Sequence, residues 1–182
     1  MNSKTVLDSE VTITELMIPS YANFGGKVHG GILLALMDKV AYVCASKYSG
    51  SYCVTVAVEG VEFLTPVEVG ELVSLKASVN YVGKTTMIVG IRVEALHPQS
   101  GLVKHTNSCY FTMAAKDDNG LLKEVPELVL QNELQLRRFC EGKAIRRLSL
   151  QKREYLKGNL KDVNRQEQMA MTMGERVVVS LS

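Results

Sequence analysis

The stretch NFGGKVHGGILLALMDKVAYVCA, residues 23–45, constrains the fold more than any other part of the chain. It passes from a glycine-rich loop into an apolar run that has no internal Gly or Pro after Gly31. This pattern predicts a helix of about five turns, from near His29 to about Tyr48. Because apolar residues occupy nearly every side of it, we expect a core helix that is wrapped by other elements. Its acid, Asp38, therefore needs a physical reason to be there.

Downstream of this helix, four segments alternate apolar and polar residues with period two, which is typical of strands. In CVTVAVEGVEFLTPV the alternation places Val54, Val56 and Val58 on one face and Thr55 on the other. The turns between the segments are too short for helical crossovers, so we expect mostly antiparallel pairing. A short strand within residues 11–18 precedes the helix. The predicted fold class is α+β, with one long central helix wrapped by a curved antiparallel sheet.

The character of the chain changes after residue 120. Apolar and charged residues then alternate at helical spacing, and residues 137–157 contain eight Lys or Arg and two Glu. We predict one domain over residues 8–120 and a helical, basic C-terminal extension over residues 121–182. The extension is either a solvated appendage packed on the domain or on a neighbour, or a surface for an anionic ligand or a membrane. We expect its end, QEQMAMTMGERVVVSLS, to be disordered or to pair with a neighbour.

Composition and charge argue against several classes of function. A net charge of +2 is too small to indicate nucleic-acid binding. The longest apolar run is shorter than the roughly 20 residues of a spanning helix, and it contains Asp38 and Lys39, so we expect no membrane insertion. The N-terminus lacks the pattern of a secretory signal, so we expect a cytoplasmic protein. The four scattered cysteines form no C-x-x-C pair, and we expect no metal site.

The start of the predicted helix is suited to binding a carbonyl or an anion. The first N–H groups of a helix have no internal partner, and Gly30 and Gly31 let another molecule approach them. Together with the helix dipole, these groups could stabilise the oxyanion that forms when a thioester or ester carbonyl is attacked.

Asp38 lies about two turns further along the same helix. An unpaired buried carboxylate is costly, so this acid needs a partner, a wet crevice or a shift toward its neutral form. Each of these fits a general base that is aimed at water near the oxyanion site. The plainer alternative is that Asp38 faces solvent or pairs with a lysine.

Three motifs together resemble the hotdog-fold acyl-CoA thioesterases, over about residues 11–120. They are Asn23 followed by a short loop, Gly30-Gly31, six residues and Asp38; the segment FLTPVEVGE at residues 63–71; and GKTTM at residues 83–87. The resemblance implies a hotdog fold and the hydrolysis of acyl-CoA to free fatty acid and coenzyme A, a reaction of lipid metabolism. It also implies a dimer whose two sheets join edge to edge, often assembled as a hexameric trimer of dimers, with the active site at the subunit interface.

The resemblance also assigns catalytic roles. Asp38 would act as general base or, alternatively, as nucleophile, while Asn23 would orient the water or the thioester. Gly31 would contribute to the oxyanion hole at the helix start. One pocket can combine Asn23 of one chain with Asp38 of the other.

Further residues are expected to bind the substrate. His29 and Gly30 lie at the helix start, where His29 would support the loop by hydrogen bonding. H-G-G is typical of the related phenylacetyl-type thioesterases, so the acyl group stays open. The turn formed by Gly83, Lys84, Thr85 and Thr86 would line the coenzyme A pocket, although the same residues also suit a plain hairpin. Coenzyme A belongs to the substrate, so we expect no separate cofactor.

A non-catalytic acyl-CoA sensor or regulator on the same fold is the main alternative, because a fold does not determine function. Such effector domains usually carry an added helix-turn-helix, and only about ten residues precede the first predicted strand here. A hydratase or dehydratase is less well supported, since its His-plus-acid signature is not seen before the core helix. A serine esterase is disfavoured because the sequence contains no G-x-S-x-G motif.

Overall fold

The structure is a computed structural model that describes residues 3–158 and 163–180. Short 3-10 turns occur at Leu7–Ser9 and Pro19–Tyr21. The longer elements in chain order are β1 (Ser3–Thr5), β2 (Val11–Leu16), α1 (Gly30–Ser49), β3 (Tyr52–Phe63), β4 (Leu72–Val82), β5 (Thr86–Leu96), β6 (Val103–Lys116), β7 (Glu127–Val129), α2 (Glu133–Gly158) and α3 (Arg165–Ala170).

Five of the strands form one antiparallel sheet in the order β2-β4-β5-β6-β3. Strands β2 and β3 are therefore its two edges, and β1 and β7 pair separately and in parallel. Hairpin turns connect β4 to β5 and β5 to β6, as the short linkers predict. Together with the long helix α1, this sheet confirms the predicted α+β class and the hotdog arrangement.

Local capping explains where α1 begins and ends. His29 is the N-cap residue and has extended backbone angles, while Gly50 ends the helix in the left-handed conformation with φ of 64°. Only glycine adopts that angle without steric cost, so the helix stops there. The predicted bounds, near His29 to about Tyr48, agree with the structure to within a residue or two.

The prediction that α1 is surrounded on all sides is wrong for the single chain. One face packs against the sheet and contributes much of the core, including Leu33, Met37, Val40, Ala41 and Cys44. The opposite face is exposed, and it includes Leu34 and Tyr42 at 37% and 41% exposure as well as Asp38. The physical reason is that a single sheet covers only one side of a helix.

Strand β3 also departs from its predicted alternation. Its pairing with β6 shifts register between Thr55 and Ala57 and again between Val58 and Gly60. Each bulge inserts a residue and reverses which face the following side chains occupy. Thr55 and Val58 therefore share the face toward α1, and the prediction that Thr55 lies opposite to Val58 is wrong.

The C-terminal part contains β7 and the helices α2 and α3. The chain divides into two compact units, Met1–Arg146 and Arg147–Ser182. The described end of the predicted extension includes α3, whose N-cap Asn164 forms a capping box with Glu167. Residues 159–162 and 181–182, which belong to that extension, lie outside the described residues. The domain boundary at residue 120 stays a prediction.

Three further properties concern the described residues alone. None of their helices is long and apolar enough to cross a membrane. They contain no group of three or more potential metal-ligating side chains. Cys44, Cys53 and Cys109 are buried free thiols, and Cys140 is exposed.

Candidate active site

Asp38 has a defined partner in the structure. Thr55 Oγ1 donates a hydrogen bond of 2.6 Å to Asp38 Oδ1. Both residues are exposed in the single chain, so the carboxylate is accessible to water. The alternative in which Asp38 pairs with a lysine is not seen, since the described residues place no lysine ammonium within ion-pair distance of it. The hydroxyl fixes one carboxylate oxygen and leaves the other free to accept a proton.

Thr55 was not predicted as a site residue. It reaches Asp38 because its register with Met113 of β6 turns it toward α1, and its hydroxyl also lies 3.5 Å from the sulfur of Met113. The only sequence signal for this contact is that the strand after a core helix must return alongside it. Alternation alone placed Thr55 on the face opposite to Val58, because the single bulge between these residues cannot be seen in the pattern.

The start of α1 is capped by the side chain of His29. The N–H of Gly31, the predicted oxyanion donor, donates a hydrogen bond of 2.9 Å to His29 Nδ1. The N–H of Ile32 donates to the carbonyl of His29 at 2.9 Å. A Cβ on Gly31 would lie 3.0 Å from His29 Nδ1, so glycine permits this close approach. The helix start is therefore occupied by the chain itself.

Asn23 shapes the loop that leads into the helix. Its Oδ1 accepts hydrogen bonds from the N–H groups of Gly25 at 2.9 Å and Lys27 at 3.2 Å. Its backbone N–H donates to the carbonyl of Lys27 at 2.7 Å. Within the described part of the chain, the side-chain amide N–H2 of Asn23 has no acceptor. The oxygen thus holds the loop, and the amide nitrogen remains available to a ligand.

Gly31 and Asp38 lie far apart within one chain. Seven residues of helix, at about 1.5 Å each, separate them by about 10 Å along the axis. Gly30 packs beside the ring of Phe63 at one end of β3, whereas Asp38 bonds Thr55 near the other end. The structure therefore does not bring the predicted oxyanion donors and the predicted base together within a single protomer.

The turn predicted to bind coenzyme A connects β4 to β5. The N–H of Gly83 donates to the carbonyl of Thr86 at 2.7 Å, which closes the hairpin. Lys84 Nζ lies 3.0 Å from Glu124 Oε1 in an ion pair whose two side chains are both largely exposed. Its ammonium is thus partly balanced and still accessible from solvent.

Sheet register places this turn at the Asp38 end of the molecule. Thr86 pairs with Ala114 of β6, and Ala114 pairs with Val54 of β3. Two inter-strand steps of about 4.8 Å separate Thr86 and its neighbour Thr85 from the β3 segment that holds Thr55, a distance of about 10 Å. The two predicted groups, base and coenzyme A turn, therefore share one end of the sheet.

Strand β3 presents an apolar edge. Tyr52, Val56 and Phe63 are 59%, 47% and 57% exposed in the single chain, and Tyr52 also contacts the ring of Tyr42 on α1 at a centroid distance of 6.1 Å. A long exposed apolar edge strand is normally covered, because it offers unpaired backbone groups to another chain. This edge continues into the exposed face of α1.

Comparison with known proteins identifies the family. The model of the thioesterase superfamily matches residues 25–101. An apo-hexameric acyl-CoA thioesterase of known crystal structure is 30% identical, with a TM-score of 0.81 over 84% of this chain and 97% of that one. The chain belongs to the hotdog-fold acyl-CoA thioesterases. It is a thioester hydrolase, and the predictions of family and enzyme class are confirmed.

Two further proteins are similar to this chain. Protein VdlD of Helicobacter pylori is 43% identical over 149 residues, which are 82% of this chain and 84% of that protein. An asparagine-to-alanine variant of an acyl-CoA hydrolase from Staphylococcus aureus, solved in complex with coenzyme A, is 26% identical with a TM-score of 0.75. The match covers 86% of this chain and 98% of that one.

Proposed function

We propose that this thioesterase hydrolyses acyl-CoA to a free fatty acid and coenzyme A, with Asp38 as general base. The observation that carries the assignment is the hydrogen bond from Thr55 to Asp38 Oδ1, at a solvent-accessible position on a mostly apolar helix. A carboxylate held by one oxygen presents the other to a water molecule in a fixed direction, which general-base catalysis requires. Nucleophilic attack by Asp38 itself is the alternative for the same residue.

The proposed reaction uses one water and no further co-reactant. Asp38 accepts a proton from the water as its oxygen attacks the thioester carbonyl carbon. The tetrahedral oxyanion is stabilised by the N–H of Gly31 and by the amide of Asn23. When the carbon–sulfur bond breaks, the proton passes from Asp38 to the departing thiolate, which releases coenzyme A. The His29 side chain must turn away from the Gly31 N–H for this step, because that N–H otherwise donates to Nδ1.

We propose that each active site combines two protomers. Within one chain the helix start and Asp38 are about 10 Å apart along α1, too far for both to reach one thioester carbonyl. Along β3, Glu59 lies midway between Thr55 and Phe63. A twofold axis near Glu59 that pairs two β3 edges antiparallel would bring the Phe63 end of one chain, with its helix start, to the Thr55 end of the other.

The apolar β3 edge and the exposed face of α1 support this dimer, since pairing would cover both. The hexameric state of the acyl-CoA thioesterase that is 30% identical supports a trimer of such dimers. The S. aureus hydrolase, solved with coenzyme A and with an asparagine replaced, supports a role for an asparagine in this family. Here we propose Asn23 for that role.

The turn from Gly83 to Thr86 is proposed to bind the coenzyme A portion. It lies about 10 Å from the strand segment that holds Thr55, and the extended pantetheine arm can span that distance. Lys84 and the hydroxyls of Thr85 and Thr86 offer donors for phosphate or amide groups. Gly30 and His29, at the helix start, are proposed to contact the thioester from the partner chain. We further propose that the enzyme acts in the cytoplasm and serves lipid metabolism.

The direct test follows free-thiol release from short, medium and long acyl-CoAs by the wild-type protein. Turnover that rises well above the uncatalysed rate for at least one chain length supports the proposal, and the ranking of substrates defines the acyl group. The non-catalytic sensor predicts the opposite pattern, in which acyl-CoA binds in a calorimetric titration and no thiol is released above background.

A further inference from the structure

The sheet face opposite α1 contains a cavity of about 400 Å³. Residues of β2, β4, β5 and β6 form its floor, and residues 137–141 of α2 form its roof. The α2 roof is held by close contact between Gly142 and Tyr81, where a Cβ on Gly142 would lie 2.9 Å from Tyr81 Cβ. Rings of Tyr81 and Phe139 also pack at 5.3 Å. The cavity is separate from the proposed active site, which lies on the α1 side of the sheet.

Asn80 is the most informative residue of this cavity. It is 5% exposed, and its Oδ1 accepts a hydrogen bond of 3.0 Å from Ser78 Oγ. Within residues 3–158 and 163–180 its Nδ2 has no acceptor, and Asn80 is one of the residues that line the cavity. The Asn80 amide fits here only because residue 90 is a glycine, since a Cβ at that position would overlap with the amide. A buried amide with one unused polar atom, facing an open volume, is suited to a ligand.

The charges around the cavity favour an anion. The cations that line it are Lys76, Arg92, Arg137 and Arg138, against the carboxylates of Glu10 and Glu141. Lys76 and Arg92 both bond Glu94, at 2.6 Å and 2.7 Å, and Arg137 lies 3.7 Å from Glu141. In the described part of the chain, Arg138 has no carboxylate partner within ion-pair distance. Among the four lining cations, Arg138 is thus the one whose charge no carboxylate of the described residues balances.

Tyr110 completes the polar wall. Its hydroxyl donates to Glu141 Oε2 at 3.3 Å. Burial, reinforced by the negative charge of Glu141, raises the pKa of Tyr110, so its hydroxyl stays protonated at neutral pH. This hydrogen bond directs the Glu141 carboxylate toward Tyr110 and Arg137.

We propose that this cavity is a second ligand site, which binds a small molecule bearing a phosphate group between the Asn80 amide and the Arg138 guanidinium. Both groups are donors, and a phosphate oxygen accepts from an amide N–H and a guanidinium N–H at once. The volume exceeds that of a phosphate ion and falls in the range of small-molecule sites. The phosphate can therefore be free or can belong to a nucleotide.

The test is calorimetric titration of the full chain with inorganic phosphate and, separately, with ADP. We expect saturable binding that weakens about tenfold or more in Arg138→Gln and in Asn80→Asp, since each loses a donor to the anion. Lys143→Gln, on the same helix and not lining the cavity, is the matched control and should bind as wild type. If phosphate and ADP both bind, the phosphate group suffices; if only ADP binds, the ligand is a nucleotide.

Two results would overturn the proposal. One is the absence of binding by either probe up to about 10 mM. The other is binding that survives Arg138→Gln and Asn80→Asp but is lost in Lys84→Gln, which assigns it to the proposed coenzyme A turn. Arg138 is only partly buried and has no carboxylate partner among the described residues, so its replacement should preserve the thermal melting temperature. Comparing that temperature with wild type separates lost binding from lost folding.

Discussion

The two ends of helix α1 differ in whether the proposed catalytic groups are already oriented and free to act within one chain. At the Asp38 end the carboxylate already has a hydrogen-bond partner, because Thr55 donates to it at 2.6 Å, and the turn proposed to bind coenzyme A lies at the same end of the sheet. At the N-terminal end the donors are used internally: the N–H of Gly31 bonds His29, and the oxygen of Asn23 holds its loop. The proposed base is thus already oriented by the fold, whereas the helix start would need a substrate to engage its donors.

The proposed dimer gives the exposed face of α1 a role. The exposed face of α1 and the β3 edge are apolar, and they connect the two ends through the surface that a second protomer would cover. A fold that separates two halves of a site by about 10 Å along a helix can still join them across a twofold axis. The exposed face is then part of the active site and not a packing defect.

The largest fall in kcat is expected from a substitution at the Asp38 end of α1. Asp38→Asn keeps the shape and the contact with Thr55 but removes the proton acceptor, so kcat should fall by about 10²-fold or more. KM should change little, because the carboxylate acts on water. Thiol release under saturating acyl-CoA measures this. Lys39→Gln, the exposed neighbour on the helix, is the control and should retain nearly full kcat; equal activity of Asp38→Asn and wild type would remove Asp38 from catalysis.

Disrupting the proposed pairing of two β3 edges, which joins the two ends of the site, should lower kcat nearly as much as Asp38→Asn does. Tyr52→Lys places a charge on the apolar β3 edge, and an edge lysine opposes strand pairing. We expect a shift toward the monomer, with kcat falling about 10²-fold because each chain then has only half of the site. Size-exclusion chromatography with light scattering, combined with the thiol assay, tests this. Leu16→Lys, on the opposite edge strand β2, should leave both the assembly and kcat unchanged; the reverse pattern would place the interface at β2.

A smaller effect is expected at the partner of the base. Thr55→Val removes the hydroxyl that orients Asp38 and keeps the side-chain volume, so kcat should fall about tenfold with KM nearly constant. Thr55→Ser retains the hydroxyl and should recover most of the activity. A positioning role fails if Thr55→Val lowers the melting temperature and kcat together and Thr55→Ser does not restore kcat.

The smallest effect on turnover is expected at the helix start. His29→Ala removes the cap on Gly31, which should cost about 1 kcal/mol of unfolding free energy. His29→Asn, which can cap a helix, should restore most of that loss. Because the Gly31 N–H serves the oxyanion only after the imidazole has moved, kcat should change by no more than about threefold. Urea unfolding measures the change in unfolding free energy, and the thiol assay measures kcat. A fall in kcat as large as that of Asp38→Asn would make His29 a catalytic group.

The sequence predicted the position of the long helix better than it predicted which side chains face which neighbour. The apolar run and the glycines predicted α1 to within a residue or two, because capping and periodicity are local. Asn23, Gly31 and Asp38 were singled out by type and spacing, and their roles remain proposals. Thr55 was missed because a bulge between Thr55 and Val58 reverses the faces of β3, and the exposure of α1 was missed because a single sheet covers only one side of a helix. Properties set by strand register or by how far a sheet reaches around a helix have no local sequence signal.

Complementation between protomers tests the shared site most directly. Asn23→Ala and Asp38→Asn are purified separately, unfolded and refolded together, and assayed for thiol release beside each variant refolded alone. If the site combines two chains, about half of the refolded dimers are heterodimers, and each of these has one intact site out of two. Activity should then rise to about a quarter of wild type. If Asn23 and Asp38 act within the same chain, the mixture should remain at the low level of the two separate variants.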